Sequence, residues 1–472
     1  IFDLIDINKE CYSDIKYKDS SIIIMIKKNN MINENKKDNN EETTNCSIIP
    51  NYSINNNNNN NIMQTVNSPI GEENFFSSFD INKVADKIKI IEFIKIVEYN
   101  NSYNGFIKEI SNGYYLTCNS DNLLSIYDIF FNPVMNIKGN KDTVFSACER
   151  VYNDNKDKTK IQIIASAKKE LNLCEVDLKE KSYAIKSFDV SNIICYNCFE
   201  MRPSNYVIIG QHCGIHYIDL FNKNTKQNEI IDRQFFGGLR INENILAITS
   251  NSILSKGVDK LIFYNTKTKK ISCQIEGYSF IFSPNGIALM PREEIKNKNK
   301  DKINNRILLC ACKQYKQNQK NGILLVNPQL GDNRQVDDPF VDTGNFEVHC
   351  FCPILIVENK NKNYTKIDEE YKKNIKITDT DYFLVGGFDK EKKEGKIKMY
   401  KVNYQVKAYN IRIEYVQDID FDEDENMGEF DGPINCILQS KITGNIIASC
   451  YNKKMYLFTA PNIDYYLEND SF

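Results

Sequence analysis

Between Tyr114 and Thr459 one pattern is written seven times. An apolar run of four to six residues is followed by a polar turn. A second apolar run with every-other-residue spacing comes next and ends near Tyr-Asp, Ile-Asp or Tyr-Asn. The copies are Tyr114–Asp128, Ile161–Asp177, Tyr206–Asp219, Ile245–Asn265, Ile307–Asn327, Tyr382–Lys401 and Ile446–Thr459. Alternation with period two is the mark of a pleated strand, so each copy predicts a strand–turn–strand unit. One such unit cannot bury its apolar face alone. Repetition at this scale therefore confines the chain to a solenoid or a propeller.

The last residues of the copies fall at 128, 177, 219, 265, 327, 401 and 459, with successive gaps of 49, 42, 46, 62, 74 and 58. The first three gaps are close to the roughly 40–45 residues of a four-stranded propeller blade. The longer ones hold charged or Asn-rich insertions at Arg292–Arg306, Asn359–Lys376 and Asp418–Asp431. Flanking segments supply the outer strands: Gly105–Ile110 and Val134–Lys138 around the first copy, Ile193–Glu200 and Glu229–Arg233 around the third. After the seventh copy only Ala460–Phe472 remains, opened by Pro461 and Asn462, so the last blade lacks a strand. The alternating stretch Phe93–Tyr99 is the natural donor, because pairing it with the tail removes two open sheet edges. The expectation is an all-β, seven-bladed β-propeller over 93–472, closed by an N-terminal strand.

Upstream, residues 1–80 predict a mostly disordered tract. The segment Asn29–Ser68 includes the run Asn55–Asn61 and cannot bury enough apolar surface to offset ordering entropy. Ile81, Val84, Ala85, Ile88 and Ile91 recur at spacings of three and four, which predicts a short helix over 81–92 with Asp80 as its cap. The chain opens at Ile1, and the expectation is a piece of something longer. With 60 basic and 63 acidic residues the net charge of −3 gives no general field for nucleic acid or an anionic membrane. No run of 18 apolar residues exists to cross a bilayer. An odd set of 15 cysteines, several inside strand runs, points to free thiols in a reducing, cytoplasmic setting.

The phrase Tyr206–Leu220 (YVIIGQHCGIHYIDL) resembles the strand–turn–strand core of WD-repeat and citron-homology propellers. The chain has no Trp, and the name-giving dipeptide is replaced by Tyr127-Asp128, Val176-Asp177 and Ile218-Asp219. With three His and no Gly-His dipeptide, the hydrogen-bonded tetrad of WD repeats cannot recur. The resemblance implies a divergent, WD-like display surface. It also resembles the regulatory C-terminal end of some large protist protein kinases. The chain itself carries no Gly-rich loop before a strand Lys, no His-Arg-Asp and no Asp-Phe-Gly.

Several clusters invite a chemical reading. Cys195-x2-Cys198 with His212-x3-His216 has zinc-ligand spacing, but strand and turn residues replace the helix a finger needs. Asp420-x-Asp422-x-Asp424 resembles a calcium loop, yet Glu425 stands at the glycine position and Asp431 at the bidentate one. Cys310-x-Cys312 and Cys350-x-Cys352 place paired thiols on one strand face, where core packing accounts for them. His349 and Cys350, as strand neighbours, point apart. The Lys-rich segments Lys296–Lys302 and Lys360–Lys366 are expected to be solvated loops. The sequence thus predicts no catalytic, cofactor or metal residue. It predicts a monomeric, non-catalytic platform for other proteins or peptides, with a regulatory module of a kinase as the alternative.

Overall fold

The computed structural model of the chain describes residues 91–461 apart from 92, 99–105, 119–121, 141–143, 151–159, 203–204, 212–213, 220–224, 228–232, 253–258, 282, 291–305, 315–318, 329–338, 360–370, 372, 405–410, 420–429, 431 and 452–453. The Asn-rich tract, the helix expected over 81–92 apart from Ile91, the acidic loop at Asp420 and both Lys-rich segments lie outside the described residues.

The described chain is nearly all strand, and successive strands pair antiparallel. The first strand, β1 (Phe93–Glu98), belongs to the last sheet. Four strands follow as one sheet: β2 (Ile107–Glu109), β3 (Tyr115–Cys118), β4 (Leu124–Tyr127) and β5 (Pro133–Ile137). Next comes a longer ladder of β6 (Val144–Glu149), β7 (Lys160–Asp177), β8 (Ser182–Arg202), β9 (Asn205–Gln211), β10 (Gly214–Asp219) and β11 (Thr225–Gln227). The third sheet is β12 (Arg233–Arg240), β13 (Ile245–Ser252), β14 (Lys260–Asn265) and β15 (Lys270–Glu276). In the fourth, β16 (Tyr278–Phe280) and β17 (Ile287–Met290) both pair with β18 (Ile307–Gln314), followed by β19 (Asn321–Val326) and β20 (Phe340–Gly344). The fifth is β21 (Phe346–Asn359), β22 (Ile375–Asp389), β23 (Glu394–Tyr404) and β24 (Ile411–Asp418). The sixth joins β25 (Ile434–Gln439), β26 (Ile446–Cys450) and β27 (Lys454–Phe458) to β1, with Ile96 opposite Tyr456.

Six of the seven repeat copies are hairpins of the two central strands, for example Ile245 opposite Asn265 and Tyr382 opposite Lys401. The copy Ile161–Asp177 lies inside β7. Its first part pairs with β6 and its last part with β8. Yet Gln162 Nε2 donates to Glu175 Oε1 at 3.0 Å. Thirteen residues of extended strand would span about 43 Å at 3.3 Å per residue. The chain must therefore double back near positions 168–169, and β7 holds two strand segments. β8 is shared in a different way: Ser182–Asp189 faces β7, while Ile194–Arg202 faces β9. Of the expected fourth strand of the third copy, Glu229–Arg233, all but Arg233 lie outside the described residues, and the last described strand of that ladder is β11. Arg233 itself opens β12.

The Asp or Asn that closes a copy has a physical cause. Asp128 Oδ1 accepts the amides of Phe130 and Asn132, Asp177 Oδ1 those of Lys179 and Glu180, and Asn265 Oδ1 those of Lys267 and Thr268. Each side chain caps the turn into the outer strand, a use for which Asp and Asn are favoured.

Apolar cores lie between consecutive sheets. Leu116, Ile126 and Ile137 pack with Val144, Ile163 and Val176; Phe235, Ile248 and Tyr264 with Met201 and Ile215; Ala247 and Phe263 with Leu308 and Cys310; Leu309 and Leu325 with Phe351 and Phe383. Ile94 of β1, with Ile447 and Leu457, meets Ile107, Tyr115 and Tyr127 of the first sheet. A central strand so placed is covered on both faces, which is why β19 is buried at every position. Among the outer strands, β15 is largely exposed and β24 has no buried position. Among the described residues no helix is long and apolar enough to cross a membrane.

Polar clasps add to these cores at the end of the first strands. Ser111 N donates to Glu149 Oε2 at 2.6 Å, Arg150 Nε lies 3.7 Å from Glu200 Oε1, and Arg240 Nη1 donates to the Glu200 carbonyl at 2.9 Å. The Gln439 amide bonds both backbone groups of Leu355 at 2.7 and 2.8 Å. Glu109 accepts Ser440 Oγ at 2.6 Å and Lys441 N at 2.8 Å, tying the first sheet to the last.

Burial raises the Glu109 carboxyl above its ordinary range, against the lowering effect of Ser440 and Lys441. A carboxyl whose folded value is raised contributes stability below its unfolded value, about 4.3, and loses it as pH rises through the folded value. Glu109→Gln removes the charge and keeps one of the two acceptor oxygens, so one of the contacts to Ser440 and Lys441 is retained. The stability of the variant relative to wild type should therefore rise between pH 4 and pH 8 in urea titrations. An equal offset at both pH values would refute this.

Candidate functional site

The first strands carry the irregularities. Ladder register slips between Val144 and Ser146 on β6, Cys195 and Asn197 on β8, Phe235 and Gly238 on β12, Val348 and Cys350 on β21, and Ile434 and Cys436 on β25. The extra residues are Phe145, Tyr196, Phe236 with Gly237, His349 and Asn435. In the fourth sheet the first strand breaks outright between β16 and β17, at a turn holding Ser283, Asn285 and Gly286. A bulge bends its strand and re-aims a side chain that a regular ladder would send elsewhere.

The second strand answers each bulge with a small residue. Ser166 lies opposite Ser146, Gly210 opposite Cys195, Gly386 opposite Cys350 and Ser449 opposite Cys436. Thr249 Oγ1 accepts the Gly237 amide at 3.0 Å, and Ala311 N donates to the Gly286 carbonyl at 2.8 Å. A bulky side chain at these positions would occupy the space into which the bulged backbone dips.

Bulged residues from three successive sheets meet. Asn285 Nδ2 donates to the Asn435 carbonyl at 3.0 Å, and His349 Nδ1 lies 3.3 Å from Asn435 Oδ1. Burial holds the imidazole below its ordinary range, so it is neutral at pH 7. A neutral imidazole whose Nδ1–H donates to the Asn435 oxygen presents Nε2 as an acceptor. The three side chains are half-buried. Beside them Glu347 bridges Lys313 at 2.8 Å and Lys390 at 2.7 Å. Burial opposes ionisation of Glu347, but the two lysines outweigh it and hold its carboxyl low. The site is thus a set of fixed amide and imidazole groups next to a triad with one surplus positive charge. It offers fixed hydrogen-bonding groups beside a positive charge.

The same first strands touch one another along their length. Ser146 Oγ donates to Asn197 Oδ1 at 3.0 Å, Asn197 Nδ2 to the Gly238 carbonyl at 3.5 Å, Cys350 Sγ to the Ile434 carbonyl at 3.6 Å and Cys436 Sγ to the Ile107 carbonyl at 3.9 Å. The bulges of β8 and β25 are therefore held from both sides.

The clusters singled out in the sequence fare differently. Cys198 of β8 and His216 of β10 both stand opposite Ile208 of the strand between them. Two strand spacings, about 9.5 Å, separate their backbones, with Ile208 between them. His212 lies outside the described residues. Cys310, Cys312, Cys350 and Cys352 are buried, and burial pushes each thiol up, that of Cys352 to about 12. His349 sits at a bulge rather than in regular alternation. It still turns to the Asn435 side chain while Cys350 bonds the Ile434 carbonyl. Among the described residues no three His, Cys, Asp or Glu side chains gather as a metal site. The trio Asn285, His349 and Asn435 was not singled out in the sequence. The one available signal was the run of small residues in the repeats (Ser166, Gly210, Gly386, Ser449).

No protein-family model matches the chain, and no curated protein does. Among solved structures, it is similar to a chain of "Crystal Structure of Mitotic Checkpoint Complex" at 8% identity and a TM-score of 0.50, over 86% of this chain and 100% of that one. It is also similar to "Structure of Dos1 propeller" at 11% identity and a TM-score of 0.44, over 76% of this chain and 78% of that one. The run of antiparallel sheets with cores between them, together with the first of these likenesses, makes this a β-propeller-like fold.

Proposed function

We propose that the chain is a non-catalytic protein-binding platform built as a seven-bladed propeller. In this reading β7 supplies two strands, β8 supplies the outer strand of one blade and the inner strand of the next, and β1 on β27 completes the ring. The bulged ends of the inner strands form the mouth where a segment of another protein docks. The observation that carries the reading is the Asn285–His349–Asn435 trio: neutral, rigidly held hydrogen-bonding groups drawn from three sheets onto one end. A display surface of this kind is the common use of a propeller, although fold alone does not assign a function.

The test is affinity capture with the full chain and with a His349→Ala/Asn435→Ala double variant. Specific partners retained by wild type should fall at least about tenfold in recovery with the variant, the loss expected of a hot-spot pair. Equal recovery with both chains, at equal stability, would move the docking site elsewhere.

A further inference from the structure

Two cysteines come together in one apolar cluster where β6 packs on the second half of β8. Cys148 is the fifth residue of β6 and is half-buried, whereas Cys198 of β8 is buried. Cys148 Sγ lies 4.0 Å from the Cys198 carbonyl oxygen, although 50 positions separate the residues. Both pack in one apolar cluster with Ile164, Leu171 and Tyr206. The neighbouring bond from Ser146 Oγ to Asn197 Oδ1 at 3.0 Å fixes the two strands against each other, so the approach is built into the fold. Both cysteines are reduced.

We propose that Cys148 and Cys198 form a peroxide-responsive dithiol that converts to a disulfide between the two strands. The Cys148 sulfur attacks one oxygen of a hydroperoxide or hydrogen peroxide. The O–O bond breaks, Cys148 keeps the OH as a sulfenic acid, and the departing oxygen takes the thiol proton to leave as water or alcohol. The Cys198 sulfur then attacks the Cys148 sulfur. The S–S bond forms, the S–O bond breaks, and the OH leaves as water with the Cys198 proton. The two thiols lose two electrons and the peroxide gains them.

What distinguishes Cys148 from the buried cysteines is its partial exposure and its charge environment. A side-chain hydrogen bond with Cys198, aided by Lys108, outweighs burial and keeps the Cys148 thiol below the ordinary thiol range. Cys310, Cys350 and Cys352 are buried and pushed the other way. The thiolate is the reactive form, so Cys148 should lead. The inference stands apart from the protein-binding reading.

The experiment treats the full chain with one to five equivalents of hydrogen peroxide, blocks residual thiols and maps peptides without reduction. The expected result is a Cys148–Cys198 linked peptide as the main product, lost on adding dithiothreitol. Iodoacetamide should label Cys148 about tenfold faster than Cys310 in the untreated chain. In Cys198→Ser, Cys148 should stop at the sulfenic acid and be trapped by dimedone. Oxidation of other cysteines while Cys148 and Cys198 stay reduced would overturn the proposal. So would passage of wild-type Cys148 to sulfinic acid with no linked peptide.

Discussion

Replacing Gly386 by alanine should lower the stability of the fold by about 1–3 kcal/mol, the range for overpacking a filled core. A Cβ built there would stand 2.6 Å from Ile434 Cγ2, 2.7 Å from Cys350 Sγ and 2.9 Å from Ile437 Cδ1. None of these is the loose end of a long surface chain. Ile434 and Ile437 belong to the next sheet, and Cys350 flanks the bulge at His349. Relief of the clash must therefore either spread two sheets or flatten the bulge. Urea titration should show a lower midpoint at an unchanged slope. Valine at the same position should be worse than alanine. A variant with the wild-type midpoint would mean that the bulge can relax freely, and the claim that it is fixed by close packing would fall.

Deleting residues 93–98 should be the most damaging change short of removing a whole sheet. β1 satisfies the outward backbone groups of β27 from Lys454 to Phe458. Phe93 also stacks edge-on against Phe458 at 5.9 Å, and Ile94 is buried among residues of the first and last sheets. Burying one such aliphatic side chain contributes about 1.5–3 kcal/mol. The ladder and ring contacts add to that, in a fold whose whole stability is about 5–15 kcal/mol. The deleted chain would also present a bare strand edge, a template for self-association. We expect aggregates or a broad, early-eluting species on size exclusion, with loss of a cooperative urea transition. Ile94→Asp is the point version, which places a charge in an apolar cluster and should reproduce most of the loss. A monomeric, cooperatively unfolding deletion variant would show that β1 is dispensable, and the proposed ring closure with it.

The repeats were legible because their signal is local. Alternation of apolar residues in Tyr206–Asp219 or Tyr382–Lys401 needs no knowledge of the partner sheet, and the hairpins sit where the pattern puts them. The Asp128, Asp177 and Asn265 endings were visible as a regularity, while their cause, capping of the outer turn, is visible only in coordinates. Strand limits were harder. β7 and β8 run through positions where the sequence shows no break, because ladder pairing, not composition, decides where one strand becomes the next. The trio at the bulged ends was hidden for a similar reason. Bulges arise from how β21, β25 and the β16–β17 turn sit against neighbouring sheets, and in an Asn-rich chain Asn285 and Asn435 look like any other asparagine.

β8 carries a mechanical implication. The other neighbouring sheets are joined by residues outside any strand, down to the single Gly277 between β15 and β16 and the single Asn345 between β20 and β21. Here one unbroken run of 21 residues serves two ladders, holding Ser182 opposite Asp177 at one end and Arg202 opposite Asn205 at the other. A splice without slack transmits strain directly. Tugging or loosening one side of it should be felt on the other, so these two portions of the molecule ought to open together in native-state amide exchange.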